Sequence, residues 1–400
     1  MGGVIPMHSS TKTSSSPIQS LYVHVPFCAT KCEYCAFYSE ASDGQQMSRY
    51  VDALIEEMEL VADSVEPRTI FFGGGTPSIL SIEHWRRILN AMERLNLLGA
   101  EEWTVECNPA TVSTEKAKLF RKFGVNRISM GVQSLDEDLL VRLGRIHSRE
   151  MVIKSFNRLR DAGFDNINLD LMFAIPGQTM KTWKSTVQEA IAMGSEHLSC
   201  YEVIYEEDTP LFEQLQAGEF DVDEALACEM YDELIENATS AGYVQYEVAN
   251  FAKHDGDPCV ELPSHACQHN VNYWRGGECQ ALGPSASGFV DGRRISNIAN
   301  TDRYCQQLEI GQRAHESIEQ LSPLASAGET AAFGLRMNSG WNFDLFLEIT
   351  GFDLRTEWMA DMQRSIEANW GVKTEERFHL TREGLRFADT IAEWFIRPGL

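Results

Sequence analysis

Hydrophobic residues in the first half of the chain follow two periods, one typical of buried strands and one typical of amphipathic helices. Short apolar runs predict five strands, at Thr69–Phe72, Trp103–Glu106, Arg127–Met130, Asn166–Met172 and His197–Glu202. Helical periodicity between them predicts helices at Met47–Ala62, Ile82–Leu97, Thr114–Phe123, Arg149–Ala162 and Met180–Met193. With an opening strand that begins at Leu21, the pattern predicts an α/β fold with a parallel sheet or partial (β/α)6 barrel.

The pattern changes after Thr209. A further helix is predicted at Asp223–Ser240 and a strand at Tyr243–Val248, before a polar, irregular run at Lys253–Cys267. From Ser322 the chain is mostly helical, and its last sixty residues predict a small helical or winged-helix domain with a helix that starts near Thr381. We therefore divide the chain into four parts: a disordered tail at 1–20, a barrel at 21–250, a connecting segment at 251–320 and a C-terminal domain at 321–400.

Composition narrows the classes of partner. The chain has 400 residues, 43% of them hydrophobic, and a formal charge of −25, which disfavours nucleic acids and anionic membrane surfaces as partners. No apolar run reaches the length of a membrane span. Residues 1–20 have neither an apolar core nor an arginine, so they fit neither a secretory nor an organellar signal. Together with reduced thiols, this predicts a cytoplasmic protein.

Three cysteines lie close together after the opening strand, at Cys28, Cys32 and Cys35. Thiolates favour iron–sulfur clusters or zinc. The alternatives are buried thiols in a core, or a disulfide with one cysteine left over. A zinc site would need a fourth ligand, and Phe37 occupies the nearest place for one. We therefore favour a four-iron cluster, in which three ligands leave one iron open to a non-protein ligand.

Polar residues and glycines follow the predicted strands. Gly73–Pro77, Glu106, Gln133 and Arg145 come at or after strand ends, and Asp170 lies in an otherwise apolar strand. Each of these features, taken alone, is more often structural than functional. Because the carboxyl ends of parallel strands meet at one edge of the sheet, the set predicts one shared pocket with the three cysteines.

The spacing Cys-x3-Cys-x2-Cys resembles the loop of the radical S-adenosylmethionine (SAM) superfamily. This resemblance implies a 4Fe–4S cluster whose fourth iron binds the amino and carboxylate groups of SAM. It also implies reductive cleavage of SAM to a 5′-deoxyadenosyl radical. In such proteins the cofactor performs the chemistry and the protein supplies position and exclusion of solvent.

Seven separated blocks narrow the resemblance to the oxygen-independent coproporphyrinogen III oxidase-like branch, over residues 21–390. In chain order the blocks are YVHVPFCATKCEYCAF, FFGGGTPS, VECNP, GVNRISMGVQS, LGRIHS, NLDLMFAIPGQT and YEVANFAK. The resemblance implies that SAM contacts Tyr22, Gly75, Thr76, Glu106, Gln133, Arg145, Asp170 and Ile204.

Two features differ from the oxidase. The oxidase has a further cysteine two residues after its third ligand, where this chain has Phe37, and no counterpart of the long segment before the oxidase barrel is recognised. Instead, His269–Trp274 reads HNVNYW and is similar to the HNxxYW pattern of haem chaperones of the HemW type. That resemblance implies haem binding at His269, Asn270, Tyr273 and Trp274, an acceptor haemoprotein and an electron donor. Peripheral association with membrane haemoproteins is compatible with it.

The residues of HNVNYW allow two interpretations. A histidine can be an axial ligand of haem iron, and Tyr273 and Trp274 offer flat apolar area for a porphyrin face. Alternatively, His269 is a hydrogen-bonded structural residue and the aromatic rings belong to the core. Cys267 is a second candidate ligand, and the roles of Cys259 and His265 in the long preceding loop stay open. The sequence also leaves open whether this segment faces the cysteine loop.

Three functions remain after this reasoning: a haem carrier, a radical enzyme that decarboxylates coproporphyrinogen III, and a radical enzyme for another small substrate. The HNxxYW pattern and Phe37 favour the carrier, so we expect no conversion of coproporphyrinogen III. The sequence fixes neither the haem acceptor nor the electron donor. Productive cleavage of SAM, covalent attachment of haem and the oligomeric state are equally open.

Overall fold

The computed structural model describes residues 16–41, 44–256 and 261–397. Most of the predicted disordered tail lies outside these residues, but the first strand begins at Ile18, so the end of that tail is ordered. Six parallel strands form the centre of the fold, at β1 Ile18–Val25, β2 Val65–Gly74, β3 Glu102–Cys107, β4 Arg127–Gln133, β5 Ile167–Phe173 and β6 His197–Glu202. The predicted parallel sheet is confirmed, with strand ends within a few residues of those expected.

Helices lie between and after the parallel strands, at α1 Gly44–Val61, α2 Ile82–Arg94, α3 Thr114–Phe123, α4 Glu137–Arg142, α5 Arg149–Asp161, α6 Met180–Ala192, α7 Pro210–Gln216 and α8 Glu224–Ser240. The apolar periodicity predicted all of these except the short helices α4 and α7. Several begin at a side-chain cap; the Ser113 hydroxyl, for example, accepts from the N–H of Lys116. Such caps satisfy N–H groups that have no partner within the helix, which explains why these boundaries are readable from sequence.

Three more strands extend the sheet at its two edges. On one side, β7 Tyr243–Gln245 and β8 Asn250–Lys253 form an antiparallel pair, and β8 pairs with β6. On the other side, β9 Gln280–Leu282 pairs in parallel with β1. The predicted strand at 243–248 is therefore shorter than expected. The segment predicted only as a connection contributes both a strand and the helix α9 Gln268–Trp274.

The two faces of the sheet differ in chemistry. On the outer face, apolar side chains pack against the helices, as where the Phe72 ring lies 5.2 Å from the ring of Trp85 in α2. Because successive side chains of a strand point to opposite faces, the alternate positions line the concave inner face, which we call the lumen. Many lumen residues are polar and buried: Ser20, Thr69, Glu102, Thr104, Arg127, Ser129, Asn168, His197 and Ser199.

The remainder of the chain forms two smaller units. An antiparallel sheet of β10 Ser287–Val290, β11 Arg293–Asn297 and β12 His315–Gln320 is interrupted by helix α10 Thr301–Glu309. The C-terminal unit contains α11 Pro323–Gly334, β13 Trp341–Asn342, α12 Phe343–Thr350, α13 Leu354–Glu357, α14 Met359–Glu367, β14 Gly371–Lys373, β15 Arg377–Leu380, α15 Arg382–Arg386 and α16 Ala388–Phe395. Its own apolar core and three-stranded sheet agree with the predicted winged-helix domain. The predicted helix start is also correct, since the Thr381 hydroxyl accepts from the N–H of Gly384.

Candidate functional site

The three clustered cysteines lie on the loop that follows β1. Cys28, Cys32 and Cys35 are half-buried, whereas most other described cysteines are fully buried. All nine cysteines in the described part of the chain are free thiols, which removes the disulfide alternative for this loop. The three cysteines line a cavity of about 500 Å³ at the carboxyl ends of the strands.

The glycine-rich turn after β2 is hydrogen-bonded to the backbone just before the cysteine loop. The N–H groups of Gly75 and Thr76 donate to the carbonyl oxygens of Val25 and Phe27, at 2.8 and 2.7 Å. A Cβ atom on Gly75 would lie only 2.7 Å from the carbonyl oxygen of Phe27, so no other residue fits here without displacement. Both N–H groups are therefore used in hydrogen bonds within the protein, whereas we expected this turn to approach a ligand with its backbone groups.

The arrangement of the thiols fits a cluster better than a single metal ion. The Sγ of Cys28 lies 3.5 Å from the hydroxyl of Thr76, and Arg145 donates to the Sγ of Cys32 at 3.5 Å. Burial raises the pKa of the Cys35 thiol. Within residues 16–41, 44–256 and 261–397, no three His, Cys, Asp or Glu side chains converge on one metal ion. In a four-iron cluster each thiolate binds a different iron, so the sulfur atoms need not converge.

Most of the predicted SAM contacts line the same cavity as the cysteines. This set comprises Gly75, Thr76, Glu106, Gln133, Arg145, Asp170 and Ile204. Gln133 has a left-handed backbone, with φ of 64°, at a point where the register between β4 and β5 shifts. Arg145 is fixed by donation to the carbonyl oxygen of Gly131 at 2.5 Å. The structure thus brings residues from five strand ends to one place, as parallel topology requires.

Two carboxyl groups in this cavity have raised pKa values. Burial, followed by the nearby charge of Asp170, raises the pKa of Glu106 to about 8. Burial raises the pKa of Asp170 to about 6, against hydrogen bonds from Asn168 and Ser129 that lower it. Desolvation and a neighbouring like charge both disfavour the ionised form. The floor of the cavity therefore holds carboxyl groups that titrate near neutral pH.

Tyr22 is the exception among the predicted SAM contacts, since it does not line the cavity. Its hydroxyl lies 3.0 Å from Nδ1 of His24, and its ring centroid lies 6.4 Å from that of His269, deeper in the lumen. Conversely, Tyr34 lines the cavity although the sequence reasoning did not select it. An aromatic residue between the second and third cysteines was the available signal. Tyr201 and Met172 line the cavity too and carried no such signal.

The helix α9, which carries HNVNYW, lies at the opposite end of the lumen. The N–H groups of Gln268 and His269 donate to the carboxylate of Glu102, the first residue of β3, at 2.9 and 3.0 Å. The Cys267 thiol also contacts this carboxylate, at 3.6 Å. A negative charge at a helix N-terminus satisfies free N–H groups and complements the helix dipole. One lumen carboxylate therefore holds the start of α9 against the amino ends of the strands.

His269 points into the lumen rather than to the surface. Its side chain is 8% exposed, its Nδ1 lies 3.1 Å from the hydroxyl of Thr69, and its ring packs 5.2 Å from that of Phe71. Burial, together with the charge of Arg127, lowers the pKa of His269 to about 4. The imidazole is therefore neutral at physiological pH. Its Nε2 makes no hydrogen bond to any residue that the structure describes.

The other residues of the motif divide between core and surface. Tyr273 is 50% exposed, with its ring 5.3 Å from that of Phe333 in α11. Trp274 is half-buried, with its ring 6.2 Å from that of Tyr246, and Asn270 is half-buried as well. None of the four motif residues lines the cysteine cavity. The sequence left the placement of this segment open, and the structure puts it on a separate part of the molecule.

A second cavity, of about 520 Å³, opens at the amino ends of the strands. It is lined by polar residues that precede or begin the strands, including Ser20, Thr69, Glu102 and Asn166, and by Gln268 and Asn272 of α9. His265 lies at its edge and pairs with Asp255 at 2.9 Å, while Cys259 lies outside the described residues. Burial raises the pKa of Cys267 to about 12, which disfavours its thiolate.

Comparisons with known proteins show the family to which this chain belongs. The model of the Radical SAM superfamily matches residues 22–190. Among curated relatives, "Heme chaperone HemW" of Lactococcus lactis is 33% identical over 379 residues, which cover 94% of this chain and 97% of the relative. The protein of that name from Bacillus subtilis is 32% identical over 92% of this chain and 96% of its own length. The chain belongs to the HemW haem chaperone family.

Solved structures support the same fold for this HemW family member. The coproporphyrinogen III oxidase HemN from Escherichia coli, described as a radical SAM enzyme, superposes with a TM-score of 0.81 over 96% of this chain and 91% of its own. At 20% sequence identity this likeness shows the fold alone. No helix of the described residues combines the length and the apolar character that crossing a membrane requires.

Proposed function

We propose that this chain is a haem chaperone, which binds haem at α9 and passes it to an acceptor protein. The observation that carries the proposal is the placement of HNVNYW. It forms a helix whose histidine is neutral, hydrogen-bonded at one nitrogen and free at the other. Membership of the HemW family supports the same function. The helix lies apart from the cysteine cavity, so haem and a cofactor at the cysteines would occupy separate places.

We further propose that Cys28, Cys32 and Cys35 hold a 4Fe–4S cluster. Three half-buried, unpaired thiols at the mouth of a cavity of about 500 Å³ fit such a group. SAM would occupy the rest of this cavity and contact the members of the predicted set that line it, Gly75, Thr76, Glu106, Gln133, Arg145, Asp170 and Ile204, whereas Tyr22 lies outside the lining. When bound, the cluster supplies an electron for the reductive cleavage of SAM. The chain itself contributes the Arg145 guanidinium beside Cys32, which stabilises negative charge on that sulfur.

His269 is our candidate axial ligand for haem iron. Histidines that bind metals usually donate their second ring N–H to a nearby acceptor, which orients the ring. Thr69 offers such an acceptor at Nδ1, leaving Nε2 for iron. Because His269 is only 8% exposed, coordination at Nε2 requires its neighbours to move. Asn270, Tyr273 and Trp274 would line the haem, with the exposed Tyr273 ring the most accessible of the three.

The residue at position 37 disfavours the oxidase function. Phe37 stands where the oxidase has a further cysteine, and its side chain is 72% exposed beside the cysteine cavity. We therefore expect no conversion of coproporphyrinogen III. The partners that this function implies are haem, an acceptor haemoprotein and an electron donor, in a cytoplasmic setting that permits peripheral association with membrane haemoproteins. The predicted division of the chain into four regions would serve this function by separating cluster and haem sites.

Haem titration tests the proposal. Protein purified without oxygen and reconstituted with its cluster should bind haem at one equivalent, with the spectrum of an imidazole ligand. His269→Ala should remove that spectrum, whereas Cys267→Ala should retain it, because burial keeps the Cys267 thiol protonated. A thiolate-type spectrum lost in Cys267→Ala would reverse the assignment.

Two further results would contradict the proposed function. If His269→Ala binds haem with unchanged affinity and spectrum, His269 is a structural residue that fixes α9 to Thr69 and Glu102. If the reconstituted protein with SAM and a reductant converts coproporphyrinogen III to its decarboxylated product, the chain is an enzyme of the oxidase type. Both assays use the same preparation, so inactive protein is recognised by its iron content.

A further inference from the structure

A continuous chain of hydrogen bonds crosses the lumen from the cysteine cavity to the start of α9. The Asp170 carboxylate accepts from Nδ2 of Asn168 at 2.7 Å, and Oδ1 of Asn168 lies 2.6 Å from Nδ1 of His197. Nε2 of His197 lies 2.8 Å from the hydroxyl of Tyr246, which accepts from the N–H of Cys267 at 3.1 Å. We call these five residues the lumen relay. It begins in the cysteine cavity and ends at the residue that caps α9.

The two ends of the lumen relay fix the direction of every donor in it. An ionised Asp170 only accepts, and the backbone N–H of Cys267 only donates. The Asn168 amide must then donate to Asp170 and accept the Nδ1 proton of His197. The remaining nitrogen of His197 carries no proton and accepts from the Tyr246 hydroxyl. Hydrogen bonds aligned in one direction polarise and strengthen one another in a low-dielectric interior.

The surroundings of the lumen relay leave its members few alternative partners. Asn168, His197, Tyr246 and Cys267 are each at most 1% exposed. Ser129 accepts from Nδ2 of Asn168 at 2.7 Å and donates to Asp170 at 3.3 Å, so both of its contacts require the Asn168 nitrogen on the Asp170 side. Ser199 donates to Oδ1 of Asn250 at 2.7 Å and lies 3.2 Å from Oδ1 of Asn168. Reorienting any single member would leave a buried donor or acceptor without a partner, which is unfavourable in a low-dielectric interior. A change of hydrogen-bond partner at one end therefore changes the partners along the whole relay, because no single residue can compensate for it alone.

We infer that His197 and Tyr246 are positioning residues, which couple ligand binding at Asp170 to the position of α9 and thus to haem affinity. This inference rests on the proposed function. A ligand that donates hydrogen bonds to Asp170 competes with the Asn168 amide for the same carboxylate oxygens. The same chain of donors ends at the N–H of Cys267, one residue before α9 and two before His269. Linkage is reciprocal, so haem should change SAM affinity by the same factor.

Tyr246 is the residue at which the lumen relay is most simply cut. Its hydroxyl alone joins His197 to the backbone of Cys267, so Tyr246→Phe removes both contacts and keeps the ring that packs on Trp274. Tyr243 is a matched control from the neighbouring β7 segment. It is 2% exposed, and its hydroxyl donates to the carbonyl oxygen of Ser195 at 2.6 Å, outside the relay. Tyr243→Phe should lower the free energy of unfolding by a similar amount and leave the effect of SAM on haem affinity unchanged.

The test is a haemin titration of cluster-reconstituted protein in the presence and absence of saturating SAM, with SAM affinity measured separately by equilibrium dialysis. In wild type we expect the two haemin dissociation constants to differ by about fivefold or more, the lower end of usual coupling between sites. In Tyr246→Phe the ratio should fall to about 1 while SAM still binds. Tyr243→Phe should keep the wild-type ratio, and both variants should show a similar loss in urea unfolding.

Several outcomes would overturn the inference. Haemin affinity that SAM does not change in wild type, an unchanged ratio in Tyr246→Phe, or a lost ratio in Tyr243→Phe each contradict it while the proposed function stands. Failure of wild type to bind haemin at all overturns the proposed function itself. If Tyr246→Phe does not fold, His197→Phe cuts the relay, because the phenyl ring has neither the donor nor the acceptor nitrogen of the imidazole. The same loss of the ratio is expected there.

Discussion

The two ends of the lumen are built on the same strands and the same polar face, yet they differ in what covers them. At the carboxyl ends, loops leave three half-buried thiols beside an open cavity. At the amino ends, α9 lies across the lumen and its first N–H groups are taken up by Glu102. The two ends have cavities of about 500 and 520 Å³, but the first is lined by the three thiols, while at the second Glu102 binds the start of α9.

This difference shows how one parallel sheet can support two sites. Buried polar groups need partners, and a lumen lined with them must be filled by ligand, water or protein. At the carboxyl ends the protein leaves Asp170 and Glu106 facing the cavity, with pKa values of about 6 and 8. At the amino ends, Thr69 and Glu102 are matched by α9. We infer that the first end is organised for binding and the second for holding a helix that itself binds.

Removing the three thiols should abolish cluster binding at the carboxyl ends of the strands. Replacing Cys28, Cys32 and Cys35 together with Ala should abolish the visible iron–sulfur absorption after reconstitution, because no described cysteine outside this loop lines the cavity except Cys107. Haem binding at α9 should survive, since the motif lies at the other end. The measurement is iron and sulfide content with the absorption spectrum.

The exposed Cys228 on α8 is the matched control for this experiment. Cys228→Ala should leave iron content, spectrum and haem affinity unchanged. A triple variant that still binds four irons would show that other thiols hold the cluster, and the cofactor assignment to this loop would be wrong.

Neutralising Glu102 should weaken the attachment of α9 at the amino ends of the strands and leave the cysteine loop intact. A glutamine has one acceptor oxygen in place of two, so Glu102→Gln leaves one of the two helix N–H groups without its charged acceptor. Hydrogen bonds to charged groups contribute about 1.5–3 kcal/mol, so haem affinity should fall about tenfold or more. Iron content should not change, because Glu102 does not line the cysteine cavity. Haemin titration and an iron assay measure the two effects.

The adjacent Glu101 provides the control for Glu102. It is an exposed residue that pairs with Arg68 on the surface at 2.8 Å and does not contact α9. Glu101→Gln should leave haem affinity unchanged, as expected for one exposed ion pair. Equal losses in both variants would mean that net charge, rather than the seating of α9, sets the affinity.

The carboxyl end was largely predictable from sequence because its signals are local. The cysteine spacing lies within eight residues; Glu106 and Asp170 belong to strands whose apolar runs are short and distinct, and Gly75 directly follows another such strand. Parallel topology then brings successive strand ends together without any further information. The helix boundaries were predictable for the same reason, since caps such as Ser113 lie within the same turn.

The amino end was not predictable, because its contacts join residues far apart in the chain. Glu102 and His269 are separated by 167 positions, and Thr69 and His269 by 200. The pairing of β9 with β1 is equally remote, and three residues of β9 carry too little apolar pattern to predict a strand. Tyr22 was predicted at the SAM site from family resemblance, but alternation along β1 turns its ring toward His269.

The contribution to stability should depend on pH with opposite signs for Glu106, in the cysteine cavity, and Glu101, on the surface, because their pKa values shift in opposite directions. The folded protein holds the proton of Glu106 with a pKa of about 8, raised by burial and by Asp170, against an ordinary value of 4.5. The unfolded chain releases that proton near its ordinary value, so the folded state binds more protons between these limits. The free energy of unfolding must then fall as pH rises from about 4.5 to about 8.

Glu106→Gln removes this titration, so its free energy of unfolding should depend less on pH than that of wild type. Each unit of pKa difference corresponds to about 1.4 kcal/mol, so the variant should gain at least about 1 kcal/mol on wild type between pH 5 and pH 8. Urea unfolding of cluster-free protein at four pH values measures this difference in the free energy of unfolding.

Glu101 is the control, and its pKa shift has the opposite sign, because its hydrogen bond to Arg68 lowers its pKa. Stability from Glu101 is present above the unfolded pKa and lost only as pH falls further. Glu101→Gln should therefore parallel wild type from pH 5 to 8, and parallel curves for Glu106→Gln would show that the cavity carboxyl is already solvated.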